Sequence, residues 1–469
     1  MLLTTLIILS CKHRGAETGV TPSDSAQPGA DTAQPGADTA QPDTDTAQPD
    51  TGECPALWGD VSLKGLALTG PAGSETGKSL AGVGDVSGDG RAEVLLSAGA
   101  MGTVWLLSGA QTPGDLSAHA TLTGPDDAAR VVSGPGDVNG DGYADVLIGS
   151  RSESGNAWLL HGPLSGAIDL EGGWSGTAGD GSGLSVAGPG DLSGSGAADL
   201  LIAAPRSDQA GNDSGTIWLL EADADAGDLG AAAAATITGA VTTGYAGYSM
   251  DGAGDFDGDG HADLIVGAWG ADTFAGEARV LSGPLSGSVS LADATLHLSG
   301  DNTWDVAGFS VSGAGDMTGD GYDDVLVGAY GVDSSEFSVG AAYLVAGGQS
   351  GTMSLSLATA RLLGIDAGDN VGWAVSDAGD VDGDGAPDVL VGGPGLDAGA
   401  TDGGGAWLLY GPLSGSRQIS EAEARFVGAH AGAGTGYALA AAGDVDGDDL
   451  DDILLGAPGI SAAYLITSP

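Results

Sequence analysis

Seven short stretches of this 469-residue chain set oxygen-bearing side chains at one spacing. They are Asp85–Glu93 "DVSGDGRAE", Asp137–Asp145 "DVNGDGYAD", Asp191–Asp199 "DLSGSGAAD" and Asp255–Asp263 "DFDGDGHAD", then Asp316–Asp324 "DMTGDGYDD", Asp380–Asp388 "DVDGDGAPD" and Asp444–Asp452 "DVDGDDLDD". Oxygens at positions 1, 3, 5 and 9 of a tight loop converge on one point, and glycines at 4 and 6 permit the sharp turns. Carboxylates held that close repel and raise one another's pKa values. A hard cation with flexible, all-oxygen coordination relieves the repulsion, and calcium suits this better than magnesium, which keeps more of its water. Zinc is disfavoured because neither His nor Cys recurs in the loops.

The candidate ligands are Asp85, Ser87, Asp89 and Glu93 in the first loop and Asp137, Asn139, Asp141 and Asp145 in the second. The fourth offers Asp255, Asp257, Asp259 and Asp263, and the fifth Asp316, Thr318, Asp320 and Asp324. The sixth offers Asp380, Asp382, Asp384 and Asp388, and the seventh Asp444, Asp446, Asp448 and Asp452. About six calcium sites are expected by analogy with oxygen-ligand loops. Ser193 and Ser195 replace carboxylates in the third loop, which is expected to bind weakly or stay empty. Ser87 and Thr318 make the first and fifth loops intermediate, and the fourth, sixth and seventh are the strongest. An EF-hand also opens D-x-[DN]-x-[DN]-G, but it needs Glu at position 12 and a following helix. Here Ile148, Val266, Val327 and Val391 stand at position 12. The bland alternative is an Asp-Gly turn whose aspartates bond their own backbone.

The elements that carry these loops repeat with them. Each loop follows a short stretch such as Gly247-Tyr248-Ser249-Met250, Gly308-Phe309-Ser310-Val311 or Gly372-Trp373-Ala374-Val375. Each precedes an apolar run such as "VLVGAYG" or "ILLGAPG", then a segment such as "GTVWLLSG" or "GAWLLYG", and a closing segment such as "ATLTG". "GPLSG" turns lie at Gly162–Gly166, Gly283–Gly287 and Gly411–Gly415. Apolar pieces this short, bounded by glycine, are strands. Four strands per unit in seven units predict an all-β fold, a seven-bladed β-propeller of four-stranded blades. The seventh unit stops at its third strand, "AAYLITSP", while an unmatched strand, "GLALTG", precedes the first unit. The N-terminal strand is therefore expected to complete the last blade and close the ring.

Composition bounds what the chain can do. Its formal net charge is −52, with only 12 Lys and Arg. Nucleic-acid binding needs a basic face, so that class is excluded. Residues 1–10, "MLLTTLIILS", followed by Cys11, resemble a bacterial lipoprotein signal lacking the usual positive start. Cys11 is then the expected lipidation site, and any membrane association would run through that anchor alone. Residues 11–56 repeat "DTAQPGA" and "DTAQPDT" variants, which favour an extended, self-repelling stalk. Residues 57–469 form the propeller. The chain is expected to be exported, as an outer-membrane or cell-surface lipoprotein or as a secreted protein. With Cys11 acylated, Cys54 is unpaired and no disulfide framework holds the fold; without a lipid, a Cys11–Cys54 bridge is the alternative.

Gly308–Gly331 "GFSVSGAGDMTGDGYDDVLVGAYG" and Gly436–Gly459 "GYALAAAGDVDGDDLDDILLGAPG" resemble FG-GAP repeats, the blades of the integrin alpha-chain N-terminal propeller. The resemblance implies calcium in the matching loops. Ala246, Ala307, Val371 and Thr435 replace the first Phe of that motif, which weakens transfer of ligand specificity. Trp105, Trp158, Trp218, Tyr343, Trp407 and Tyr464 share one repeat position and are expected to pack between blades. Trp174, Trp269, Trp304 and Tyr330 fall off that register and are the better candidates for ligand contact. No histidine pair has ligand or triad spacing. The reading is a monomeric, calcium-stabilised surface binding or adhesion module for an extracellular protein or glycan. An extracellular hydrolase or lyase on a propeller scaffold, or a structural envelope protein, are the alternatives.

Overall fold

The computed structural model describes residues 6–10, 64–108, 118–124, 130–150, 155–333 and 338–468. Cys11, Cys54 and the 11–56 segment lie outside the described residues. Seven sheets are arranged as the blades of a propeller, and helix is confined to single turns. In blade 4 the strands run Ser249–Gly254, Asp263–Ala268, Glu277–Leu281 and Leu296–Ser299, all antiparallel and hydrogen-bonded in that order. The other blades repeat this path. The second strand is the greasy one, as in Asp263–Ala268 or Asp388–Gly393, and every residue of it is buried. Neighbouring blades cover both its faces, which is why its sequence does not alternate.

Blades meet at close quarters. Gly308, at φ +76°, opens the first strand of blade 5, and a Cβ there would lie 2.1 Å from the Glu277 carbonyl oxygen of blade 4. Only glycine combines that backbone with that approach. The inner strands are also stitched across blades by serine: Ser79, Ser249 and Ser310 accept the N–H of Val132, Val311 and Val375 at 3.1, 2.9 and 3.0 Å.

Lys64–Thr69 pairs antiparallel with Ala462–Thr467, from Lys64 opposite Thr467 to Thr69 opposite Ala462. The N-terminal strand thus supplies the outer strand of blade 7 and closes the ring, as the phase of the repeats predicts. Leu68 from this strand is wholly buried.

One feature goes beyond the expected four strands. After its third strand, each of blades 2, 4, 5 and 6 sends a short segment to the edge of the preceding blade. Gly166–Asp169, Gly287–Ser290, Gly351–Ser354 and Gly415–Gln418 pair in parallel with the outer strands of blades 1, 3, 4 and 5. Three begin in the "GPLSG" turns, so those turns lead into an exchanged edge strand. The segment in blade 4 is followed by a single turn whose Leu291 is buried, and Leu355 and Ile419 do the same in blades 5 and 6. At blade 6, the backbone of Leu6–Ser10 takes the edge position in antiparallel register with Ala424–Gly428.

Leu68→Ala removes buried methyl groups from the closing strand. It is expected to lower unfolding stability by about 2–5 kcal/mol, measured by urea denaturation. A loss below 1 kcal/mol by the same measure would show that closure contributes little.

Candidate metal centre

The acidic loops connect first to second strands, so all seven lie on one face of the ring. Their geometry is built by hydrogen bonds from the loop backbone. Position 1 gathers the N–H groups three to five residues on: Asp380 accepts from Gly383, Asp384 and Gly385 at 2.8, 3.1 and 2.9 Å. Position 5 accepts from position 7, as Asp384 does from Ala386 at 2.9 Å. The Asp-Gly turn and the cation loop are therefore one object, since each oxygen keeps a further lone pair. Glycines at positions 4 and 6 take φ between +74° and +93° in most loops, but position 6 of the seventh is Asp449 at φ +68°.

Position 9 opens the second strand and is wholly buried in all seven loops: Glu93, Asp145, Asp199, Asp263, Asp324, Asp388 and Asp452. It also staples the loop to the end of the third strand. Asp388 accepts from Val381 N–H at 2.9 Å and from Gly411 N–H at 3.1 Å, and Asp452 accepts from Val445 and Ser468 at 3.0 and 2.8 Å. Burial pushes the Asp388 carboxyl up to about 7, despite those hydrogen bonds, and the charges of Asp382 and Asp380 add to the rise. Burial likewise lifts Asp263, Asp324 and Asp452 to about 6 and raises Glu93 and Asp199.

Four loops bring three carboxylates within 4.8 Å of one another: Asp85, Asp89 and Glu93; Asp255, Asp257 and Asp259; Asp380, Asp382 and Asp388; and Asp444, Asp446 and Asp452. Two oxygens bound to one calcium at about 2.3–2.6 Å lie at most about 5 Å apart, so these sets fit a shared ion. Buried oxygens without a hydrogen-bond partner among the described residues occur in the same loops: Asp255 Oδ1 and Asp446 Oδ1, with Asp191 Oδ1 and Thr318 Oγ1 in the third and fifth. An unpaired buried oxygen is costly, and a bound cation would satisfy it. Three carboxylates of the second and fifth loops do not converge to that distance among the described residues. In the second, Asn139 Nδ2 instead donates to Asp141 at 2.9 Å.

Neighbouring loops touch. The Asp323 carboxylate, at position 8 of the fifth loop, accepts the Asp255 N–H at 2.7 Å, and Asp451 accepts the Asp380 N–H at 2.8 Å. The sequence pattern does not announce this contact, because position 8 is Ala or Pro in the other loops.

Residues 85–148 match the FG-GAP-like repeat model, and residues 246–281 match the FG-GAP repeat model. The chain is 30% identical over 241 residues to integrin alpha pat-2 of Caenorhabditis elegans, covering 48% of this chain and 19% of that one. It is 29% identical over 236 residues to integrin alpha-PS2 of Drosophila melanogaster and 34% identical over 149 residues to human integrin alpha-IIb. Those alignments cover 48% and 30% of this chain, and 16% and 14% of the relatives. This is an integrin alpha-like FG-GAP β-propeller. The chain thus matches less than a fifth of the length of these relatives.

The opposite face of the FG-GAP propeller carries a cluster of contacting aromatic rings. Tyr248, Phe309, Trp373 and Tyr437 follow the opening glycine in blades 4 to 7 and ring the mouth of the central channel. Successive rings are tilted by 39°, 54° and 48°, close to the about 51° that separates neighbours in a seven-fold ring. Further out, Tyr245, Trp269, Phe274 and Trp304 stack in series, with Phe274 and Trp304 4.5 Å apart and 6° from parallel. Trp304 is 59% exposed, and Tyr330 leans on Phe309. Trp269, Trp304 and Tyr330 are therefore on an open face. Trp174 is not: it is the outer strand of blade 2, buried, and its Nε1 donates to the Asp225 carbonyl at 2.9 Å. It pairs with Ala157, the register that Leu298, Leu362 and Phe426 hold in blades 4 to 6, and so takes their place in the packing between blades. Trp158, Trp218, Tyr343, Trp407 and Tyr464 pack between blades as their repeat position predicts.

The raised position-9 carboxyls fix the sign of the acid response. In the folded, metal-free protein Asp263, Asp324, Asp388 and Asp452 hold protons more tightly than at the ordinary value of 3.8. Their stabilising contribution is complete below about 4 and is lost as pH rises through about 6 to 7. In chelator, the melting temperature is expected to be higher at pH 5 than at pH 8, and added calcium is expected to raise it more at pH 8. A chelated protein that melts higher at pH 8 would contradict this. Asp449→Gly relieves the positive φ at position 6 and is expected to raise stability by about 0.5–1 kcal/mol in denaturant titrations.

Proposed function

We propose that this propeller is a calcium-stabilised, exported binding module of adhesion type, recognising an extracellular protein or glycan. The supporting observation is the division of labour between two faces. One face collects acidic loops whose carboxylates converge and leave buried oxygens unpaired. The other presents aromatic rings on rigid inner strands and their loops. Similarity to integrin alpha chains supports the adhesion reading. In this reading calcium is structural: Asp85, Asp89 and Glu93, and the corresponding acids of the fourth, sixth and seventh loops, would hold it. The ion would neutralise loop charge and fix the turn between first and second strands. A lipid on Cys11 and a stalk over residues 11–56 would hold the module away from a membrane. Among the described residues no helix is long and apolar enough to cross one.

Binding to the native state alone stabilises it by mass action, by about 2.7 kcal/mol per site at a calcium concentration 100 times Kd. Chelator is therefore expected to lower the melting temperature markedly. Asp382→Ala is expected to shrink the calcium-induced rise, and Asp191→Ala in the serine-substituted third loop to leave it unchanged. Scanning calorimetry with and without calcium measures both. Equal, negligible effects of the two substitutions and of chelator would defeat the calcium assignment.

A further inference from the structure

We infer that the channel mouth on the aromatic face binds an acidic saccharide, a chain of uronate-type sugars carrying one carboxylate per ring. The inference rests on the binding-module reading and supplies its ligand class.

The repeat position that holds aromatic rings in blades 4 to 7 holds Lys78 in blade 1, Arg130 in blade 2 and Leu184 in blade 3. All line one cavity of about 260 Å³ at the mouth. A second cavity of about 210 Å³ adjoins it, sharing Leu184 and Tyr248, and is walled by Pro205, Arg206, Tyr245 and Trp269. Three of the chain's 12 cationic side chains thus stand around two joined cavities, in a protein of net charge −52. Lys78 is steadied at the rim by Glu75 at 3.0 Å. The Arg206 side chain is exposed and enters no ion pair among the described residues.

The chemistry of the mouth is therefore split. Blades 1 to 3 offer positive charge, and blades 4 to 7 offer ring edges and faces. A pyranose carries C–H groups that pack on an aromatic ring, and a uronate adds a carboxylate that a guanidinium or ammonium can bind. Cations from three consecutive blades suit a polymer whose carboxylates repeat, whereas a peptide C-terminus carries one. Hydroxyls of Ser79, Ser185, Ser249 and Ser310 line the same cavity and can meet sugar hydroxyls. Deeper in the channel the sign reverses. Asp251 and Asp377 come from the first strands of blades 4 and 6, with Ser312 of blade 5 donating to Asp251 at 3.1 Å. A polyanion is thus held at the mouth and not drawn into the channel, and the acidic surface elsewhere repels it.

The test uses the full chain in calcium. A soluble oligogalacturonate is titrated in by calorimetry, with the neutral oligogalactose of equal length as the second arm, and tryptophan fluorescence is followed in parallel. The acidic oligomer is expected to bind and shift the fluorescence, and the neutral one to bind at least about tenfold more weakly. Arg206→Gln and Lys78→Gln are each expected to weaken binding about tenfold, while Arg417→Gln, on the far edge of blade 5, leaves it unchanged. Melting curves confirm that each variant folds. Equal affinity for the two oligomers, or an unchanged Kd in folded Arg206→Gln, overturns the proposal. Failure of both to bind a protein that still gains stability from calcium overturns this ligand class alone. Capture of a free peptide carboxylate in preference to the sugar also overturns it.

Discussion

Closure of the ring is the constraint on which everything else depends. Each second strand is buried because blades flank it on both sides, and only a closed circle gives every blade two neighbours. The contact that achieves this is a six-residue antiparallel pairing between Lys64–Thr69 and Ala462–Thr467. Its effect reaches far beyond blade 7. The acidic loops lie at one rim, and the aromatic and cationic positions gather around one mouth, only because the seven first strands stand in a circle. Glycine at Gly308 and its equivalents lets them stand close enough.

Charge is the second organising term, and it acts locally. Burial of the position-9 carboxylate puts an acid at the root of each turn, where it is needed to hold the third strand. Oxygen-bearing side chains at positions 1, 3 and 5, all carboxylates in the fourth, sixth and seventh loops, are then crowded above it. Hydrogen bonds from the loop backbone compensate part of that crowding, and the remaining unpaired oxygens are ones that a cation would satisfy. The Asp323 and Asp451 contacts carry one loop's geometry into the next, so neighbouring turns are not independent units.

Much of this was legible in the sequence because the responsible pattern is local. The acidic spacing, the non-alternating runs and the phase offset between the two chain ends each sit within a few residues. The exchanged strands were not legible. Gly287–Ser290 is short, polar and half exposed, and its partner Ala235–Thr238 lies about fifty residues earlier, so no apolar period betrays it. Trp174 misled because its outer strand is only two residues long, too short to show the period that marks a buried position. The cations were hidden for another reason. Lys78, Arg130 and Arg206 are scattered along the chain and meet only when the ring is drawn, although the position seven residues before each acidic loop, compared across blades, already set Lys78 and Arg130 against four aromatics.

The strand that locks the circle is also the first one met in the chain after the edge segment Leu6–Ser10. A pull applied to the backbone just ahead of Lys64 acts first on this latch. Under such a pull the mechanical strength of the whole disc is set by how its last sheet resists being peeled or sheared.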